Sequence, residues 1–132
     1  MKAMFDLNVL LDVLQARQAW MRASGELCAK AVRGEIEGVV ASHAVTTLHY
    51  VLRKHAGQEV ATKDIDWLLA FFTVVPADKA VFLRARVLPM GDFEDAVVAA
   101  SAEAAHCDVI LTRNLSDFAP SPVSALSPEE AL

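Results

Sequence analysis

The sequence predicts an α/β fold in which a parallel sheet is covered by helices on both faces. Short apolar or β-branched segments alternate with longer segments of helical periodicity along the whole chain. In addition, 55% of the residues are hydrophobic and only 22% are charged, which is enough apolar material for a substantial core. The 132 residues contain no linker, repeat or low-complexity segment, so we expect one domain spanning residues 1–132.

Five short segments are predicted strands because they are apolar or β-branched and are bounded by glycine, proline or polar residues. They are Lys2–Phe5, Gly38–Ala41, Thr73–Pro76, Asp108–Thr112 and an edge strand near Val123.

The segments between the strands are predicted helices, since their apolar residues recur at helical spacing. Ser42 is the expected N-cap of one helix and Gly57 its expected end, and Ser127 is expected to begin a short last helix. The other helices are expected over Val9–Leu14, Arg17–Val32, His43–His55, from Thr62 or Lys63 onwards, Asp78–Leu88 and Asp92–Ala105.

Composition excludes several classes of protein. The net charge of −5 argues against binding of nucleic acid through overall basicity. No apolar run approaches the roughly 18 residues of a membrane span, and no export signal opens the sequence, so we expect no membrane association and a cytoplasmic protein. Cys28 and Cys107 belong to no CxxC pair, which predicts free buried thiols rather than a zinc site.

Three groups of polar residues are expected at the carboxyl ends of strands or at the start of a neighbouring helix. They are Asp6, the pair Asp92 and Asp95, and the pair Asn114 and Asp117. In a parallel sheet this edge is where ligands bind. Each group also has a purely structural interpretation, namely a helix cap for Asp6, a capping box for Asp92 and Asp95, and an Asx turn for Asn114 and Asp117.

Three segments together resemble the PIN domains, and in particular the VapC-type toxin ribonucleases. Phe5–Asp12 resembles the opening strand and helix of that family, Asp95–Ala100 its third motif, and Leu111–Phe118 its closing motif. The resemblance covers nearly the whole chain. It implies a three-layer α/β/α PIN-like fold with a central, mostly parallel sheet of four to five strands.

The resemblance also implies a site. Asp6, Asp95 and Asp117 match the acidic residues that bind Mg²⁺ or Mn²⁺ for RNA hydrolysis, and such hard cations prefer carboxylate oxygens. Asn8 and Asn114 have supporting roles in this site, and Thr112 and Asp92 are further supporting candidates. Arg113 is a candidate contact to substrate phosphate.

One acidic position of the family has no counterpart in this sequence. A glutamate is expected within Ser42–His49, but this segment contains no acid, and Thr46 or Thr47 takes the approximate position. Asp92 or Glu94 is a candidate replacement, although helical spacing predicts that Glu94 points away from Asp92 and Asp95.

Two functions follow as hypotheses. The first is a metal-dependent endoribonuclease, the toxin of a toxin–antitoxin pair, for which the resemblance implies an RNA substrate, an antitoxin and a homodimer. The second is a PIN scaffold with a weakened or inactive site that binds RNA or a protein partner. A phosphotransfer enzyme using Asp6 as nucleophile is disfavoured, because Asn8 stands where its partner aspartate is needed.

Overall fold

The centre of the molecule is a five-stranded sheet in which all strands run parallel. The computed structural model describes residues 1–132, and the strand order is β3-β2-β1-β4-β5. The strands are β1 (Lys2–Phe5), β2 (Glu37–Ala41), β3 (Thr73–Val75), β4 (Val109–Leu111) and β5 (Ala125–Leu126).

Seven helices connect and follow the strands. They are α1 (Leu7–Leu14), α2 (Gln18–Val32), α3 (Ser42–Ala56), α4 (Gln58–Phe71), α5 (Lys79–Val87), α6 (Phe93–Ala104) and α7 (Pro128–Ala131). Ser127 begins α7 with a complete capping box, as the sequence predicts.

Helices cover both faces of the sheet, which confirms the three-layer α/β/α prediction. Successive residues of β1 point to opposite faces, so Phe5 belongs to one buried cluster and Met4 to the other. The Phe5 cluster is closed mainly by residues of α1, α2, α3 and α4, and the Met4 cluster by residues of α5 and α6. β1 is thus buried on both sides, as expected for an inner strand of a parallel sheet.

Two predicted helix starts are wrong. Gly57, with φ of +94°, ends α3 and also directly precedes α4, so the second helix begins at Gln58 rather than at Thr62 or Lys63. Ser42 is the first residue of α3 and not its cap, because the extended backbone of Ala41 passes from β2 straight into the helix.

The predicted edge strand is displaced by two residues. Val123 is buried, but its N–H donates to the hydroxyl of Ser121 within a turn and not to the sheet. The chain joins the sheet at Ala125–Leu126 instead.

Two predictions from composition can be compared with the structure. Cys28 and Cys107 are free and buried, as expected. None of the helices combines the length and the apolar character that crossing a membrane requires.

Candidate metal and active site

The site lies at the carboxyl ends of β1 and β4, which are neighbours in the sheet. Phe5 pairs with Leu111, and the N–H of Asp6 donates to the Leu111 carbonyl at 2.9 Å. The residue after each strand therefore emerges at the same edge, where Asp6 stands beside Thr112.

Asp6 is held by two hydrogen bonds, one to each carboxylate oxygen. Its Oδ1 accepts the N–H of Leu7 at 2.9 Å, and its Oδ2 accepts the hydroxyl of Thr112 at 2.8 Å. Burial raises the pKa of Asp6, and these two hydrogen bonds lower it in part. The carboxylate thus caps α1, which confirms the cap interpretation, and its role in a site stays a prediction.

Thr112 connects Asp6 to the loop that follows β4. Thr112 is fully buried, and its Oγ1 accepts the backbone N–H of Asn114 at 3.0 Å while donating to Asp6. The Asn114 carbonyl in turn accepts the N–H of Asp117 at 3.1 Å. A chain of hydrogen bonds therefore runs from the first acid to the backbone of the third.

The pKa of Asp95 is affected by the charges of four other acids. Its pKa is raised to about 6, first by burial and then by the negative charges of Asp92, Asp6, Asp117 and Glu94. The charges of the other two predicted acids, Asp6 and Asp117, therefore act on Asp95. Asp92 caps α6, since its Oδ1 accepts the N–H of Asp95 at 2.9 Å.

The raised pKa of Asp95 predicts a pH-dependent stability in metal-free buffer. Between the ordinary value of 3.8 and about 6, the folded state holds the Asp95 proton more tightly than the unfolded state does. The contribution of this group to the free energy of unfolding therefore falls as the pH rises through that window, and ionised Asp95 destabilises the fold above it.

Asp95→Asn is consequently expected to melt higher than the wild type at about pH 7.5, by on the order of 3 °C, in the presence of EDTA. The difference should vanish well below the ordinary value of 3.8, where Asp95 is protonated in both states. Melting curves across this range test the prediction, and a variant that melts at or below the wild-type temperature at neutral pH would contradict it.

The other predicted site residues make no hydrogen bond to Asp6 or Asp95. Asn8 is half-buried in the first turn of α1, and its side chain makes no hydrogen bond to Asp6. Asp117 is exposed. Thr46 and Thr47 both donate to the carbonyl of His43 in their own helix, at 3.1 and 3.2 Å, so their hydroxyls form hydrogen bonds within α3.

Glu94 of α6 reaches the start of α3. Its Oε1 lies 3.7 Å from Nε2 of His43, the second residue of α3, and its charge raises the pKa of both Asp6 and Asp95. That Glu94 points away from Asp92 and Asp95 stays a prediction. A carboxylate from α6 thus stands at the start of α3, where the sequence of α3 has none.

Sequence reasoning missed a buried ion pair beside the site. Asp12 is fully buried in α1, and both of its oxygens accept hydrogen bonds from Arg113, each at 2.9 Å. Ser24 donates to the same carboxylate at 2.9 Å, and the Arg113 guanidinium lies 4.0 Å from the ring centroid of Trp20. The one available signal was an acid within the apolar run of α1, because a buried carboxylate requires a partner.

This ion pair bears on the predicted role of Arg113. Two of its nitrogens are committed to Asp12, and its side chain is only 20% exposed. Arg113 therefore anchors the loop after β4 to α1, and contact with substrate phosphate stays a prediction.

The acidic residues are of the kind that a hard divalent cation prefers, but they do not form a ready metal site. No group of three His, Cys, Asp or Glu side chains is placed so that it could hold a metal ion. Mg²⁺ keeps several waters and takes one or two carboxylates, so an open cluster of oxygen ligands suits it better than a closed cage would. Binding of the ion by Asp6, Asp95 and Asp117 stays a prediction.

Comparison with known proteins identifies the family of the chain. The PIN domain sequence profile matches residues 2–116. The chain belongs to the PIN domain family. No curated protein matches it in sequence.

Solved structures share the fold of this PIN domain at low sequence identity. The DNA-bound VapBC structure from Salmonella typhimurium has a TM-score of 0.75 at 17% identity, covering 97% of this chain and 98% of that one. The VapBC2 structure from Rickettsia felis, bound to a promoter DNA fragment, has a TM-score of 0.73 at 16% identity, covering 96% and 98%. The toxin VapC20 of Mycobacterium tuberculosis, described as cleaving the sarcin-ricin loop, has a TM-score of 0.66 at 13% identity, covering 82% and 86%.

Proposed function

We propose that this PIN domain is a metal-dependent endoribonuclease that hydrolyses RNA phosphodiester bonds. The observation that carries the proposal is the environment of Asp95, whose pKa is raised to about 6 first by burial and then by neighbouring acids that include Asp6 and Asp117. Acids that repel one another at the edge of a sheet are costly unless a cation offsets them. The structural likeness to a toxin described as cleaving the sarcin-ricin loop supports RNA as the substrate.

Each acid has a defined part in this proposal. A bound Mg²⁺ or Mn²⁺ would lower the pKa of a water molecule and offset charge on the phosphate. Asp6 is oriented before any ligand arrives, since Leu7 and Thr112 hold both of its oxygens. Asp95 changes protonation near neutral pH, so cation binding there is coupled to release of a proton. Asp117 reaches the site from an exposed turn, where substrate and solvent have access.

The alternative is an inactive scaffold, which the lack of an acid in Ser42–His49 favours. Glu94 favours the enzyme, because it brings a carboxylate beside His43 at the start of that segment. Activity therefore distinguishes the two.

We expect the purified protein to cleave single-stranded RNA in the presence of Mn²⁺, and Asp95→Asn to reduce the rate by about 100-fold or more. The matched control is Asp66→Asn, which removes an exposed carboxylate of α4 and should cleave like the wild type. Gel analysis of labelled RNA provides the measurement. Equal cleavage by wild type and Asp95→Asn would indicate a contaminating nuclease, and absence of cleavage with intact RNA binding would favour the scaffold.

We also propose that the nuclease is the toxin of a toxin–antitoxin pair. Its support is the likeness to chains from a VapBC structure of Salmonella typhimurium and a toxin–antitoxin complex of Klebsiella pneumoniae. A homodimer is part of this proposal, and the exposed apolar side chains of Leu83 and Val87 on α5 are consistent with a subunit contact.

Induced expression of the chain alone is then expected to arrest bacterial growth, because uncontrolled RNA cleavage stops translation. Asp95→Asn at equal protein level should permit growth. Growth curves with immunoblots test this, and arrest by both proteins would point to toxicity unrelated to the site.

A further inference from the structure

A small pocket adjoins the acidic site between α3, α5 and the start of α6. Its volume is about 320 Å³, at the lower end of the range for small-molecule sites, so it suits a single ring system. The residues that line it are His43, Thr47, Phe82, Phe93, Glu94 and Val97.

Two aromatic rings are presented at this pocket without being buried. Phe82 of α5 and Phe93 of α6 stack on each other, with ring centroids 6.3 Å apart and an interplanar angle of 30°. They are nevertheless 41% and 49% exposed, whereas Phe5 and Phe118 are almost fully buried. Exposed stacked rings cost hydration free energy, and they offer the flat apolar surface on which unpaired bases stack.

A carboxylate stands beside the rings. Glu94 follows Phe93 directly, and its nearest charged or polar partner is Nε2 of His43 at 3.7 Å. The Nδ1 atom of His43 has no hydrogen-bond partner, so the pair is not tied further into the fold. A carboxylate accepts hydrogen bonds only, and it therefore selects a ring edge that donates.

We propose that this pocket binds one unpaired nucleobase of the RNA next to the scissile phosphate, with its face on Phe82 and Phe93 and its donor edge towards Glu94. Guanine is the preferred base, because it presents a ring N–H and an amino group side by side. Uracil presents one ring N–H flanked by two carbonyl oxygens, which the carboxylate repels. This inference rests on the proposed function, since it assigns the base contact of that same site.

The position of the pocket agrees with such a contact. Glu94 is close enough to raise the pKa of Asp6 and of Asp95, so the donor edge of the base would lie beside the acids proposed to hold the metal ion. Phe93 is two residues from Asp95 on the same helix. One nucleotide could therefore contact the pocket and the acidic site together, without the RNA strand crossing an exposed surface between them.

The test measures binding rather than cleavage. Labelled pentanucleotides that differ only in a central guanine or uracil are titrated by fluorescence anisotropy against Asp95→Asn protein with Mn²⁺, so that cleavage is suppressed. The guanine oligonucleotide should bind about tenfold more tightly. Phe82→Ala should weaken it about tenfold, and Phe82→Leu should weaken it nearly as much, because leucine keeps apolar area but has no aromatic face.

Glu94→Gln should reduce the preference for guanine over uracil while both oligonucleotides still bind. The matched controls are Phe71→Ala, which removes an exposed phenylalanine of α4, and Glu59→Gln, which neutralises a glutamate in the first turn of that helix. Both controls should leave affinity and preference unchanged.

The outcomes separate this inference from the proposed function. Equal binding of guanine and uracil oligonucleotides, unaffected by Phe82→Ala, would overturn the base pocket while RNA cleavage by the wild type still stands. If Phe82→Ala instead changes the oligomeric state without changing base preference, the rings form a contact between subunits and the inference is likewise overturned. Failure of every oligonucleotide to bind, together with failure of cleavage, would refute the proposed function itself.

Discussion

Asp6→Asn is expected to abolish both stabilisation by Mn²⁺ and cleavage of RNA. A ligand that binds only the folded state raises the free energy of unfolding by about 2.7 kcal/mol at 100 times its Kd, equivalent to roughly 8 °C in a domain of this size. Asp6 is the buried acid of the cluster and its orientation is set by two hydrogen bonds, so its loss should remove most of the cation affinity. Cleavage should fall by about 100-fold or more.

The substitution is informative because it should not disturb the fold. The asparagine carbonyl still accepts the N–H of Leu7, and although the Thr112 hydroxyl loses its acceptor, the change removes a buried carboxylate whose pKa is raised by burial. Without metal, the variant should therefore melt at or above the wild-type temperature. Thermal melts with EDTA and with Mn²⁺ measure both effects, and Asp66→Asn serves as the exposed control. An undiminished Mn²⁺ shift in Asp6→Asn would remove this acid from the metal site.

Asp12→Ala is expected to lower the free energy of unfolding by about 3 to 5 kcal/mol, the usual cost of removing one partner of a buried ion pair. The change leaves the Arg113 guanidinium and the Ser24 hydroxyl without their acceptor. Because domains are stable by only about 5 to 15 kcal/mol, the loss is a large part of the total. Urea denaturation is the appropriate measurement.

The chain offers a matched control for this pair. Arg84 and Glu103 form the same two-point contact, with distances of 2.8 and 3.1 Å, but they do so at the surface. Glu103→Ala should cost at most about 1 kcal/mol, because solvent screens exposed pairs. The double variant Asp12→Leu/Arg113→Met should recover much of the Asp12→Ala loss, since well-packed apolar side chains can replace a buried pair. Equal small losses in Asp12→Ala and Glu103→Ala would show that burial adds nothing here.

The ion pair also has a consequence for the site. Arg113 follows Thr112 directly and precedes the turn that carries Asp117. Its bonds to Asp12 therefore fix the loop after β4 against α1, next to the residue that makes the Thr112–Asp6 hydrogen bond. Asp12→Ala should thus reduce cleavage as well as stability, through displacement of Asp117.

Much of the fold was predictable because its signals are local. The β-branched and apolar runs that form β1, β3 and β4 are short and bounded by polar residues or proline, and Asp78 and Asp92 cap helices as their residue type suggests. The predictions failed where two helices follow each other without a loop. At this point one glycine, Gly57, both ends α3 and directly precedes α4. They also failed at the edge strand, whose register depends on pairing with β4.

The sequence by itself determined that the chain alternates strands with helices and that its three motifs are those of a PIN domain. It also determined that Asp6, Asp95 and Asp117 lie next to the ends of strands or the start of a helix. These features depend on residue type, order and spacing. Only the tertiary structure decided that Glu94 faces the start of α3, that Asp12 pairs with Arg113, and that Phe82 and Phe93 share a pocket with His43. These contacts join residues far apart in sequence. They depend on how helices pack across the sheet, which no local spacing encodes.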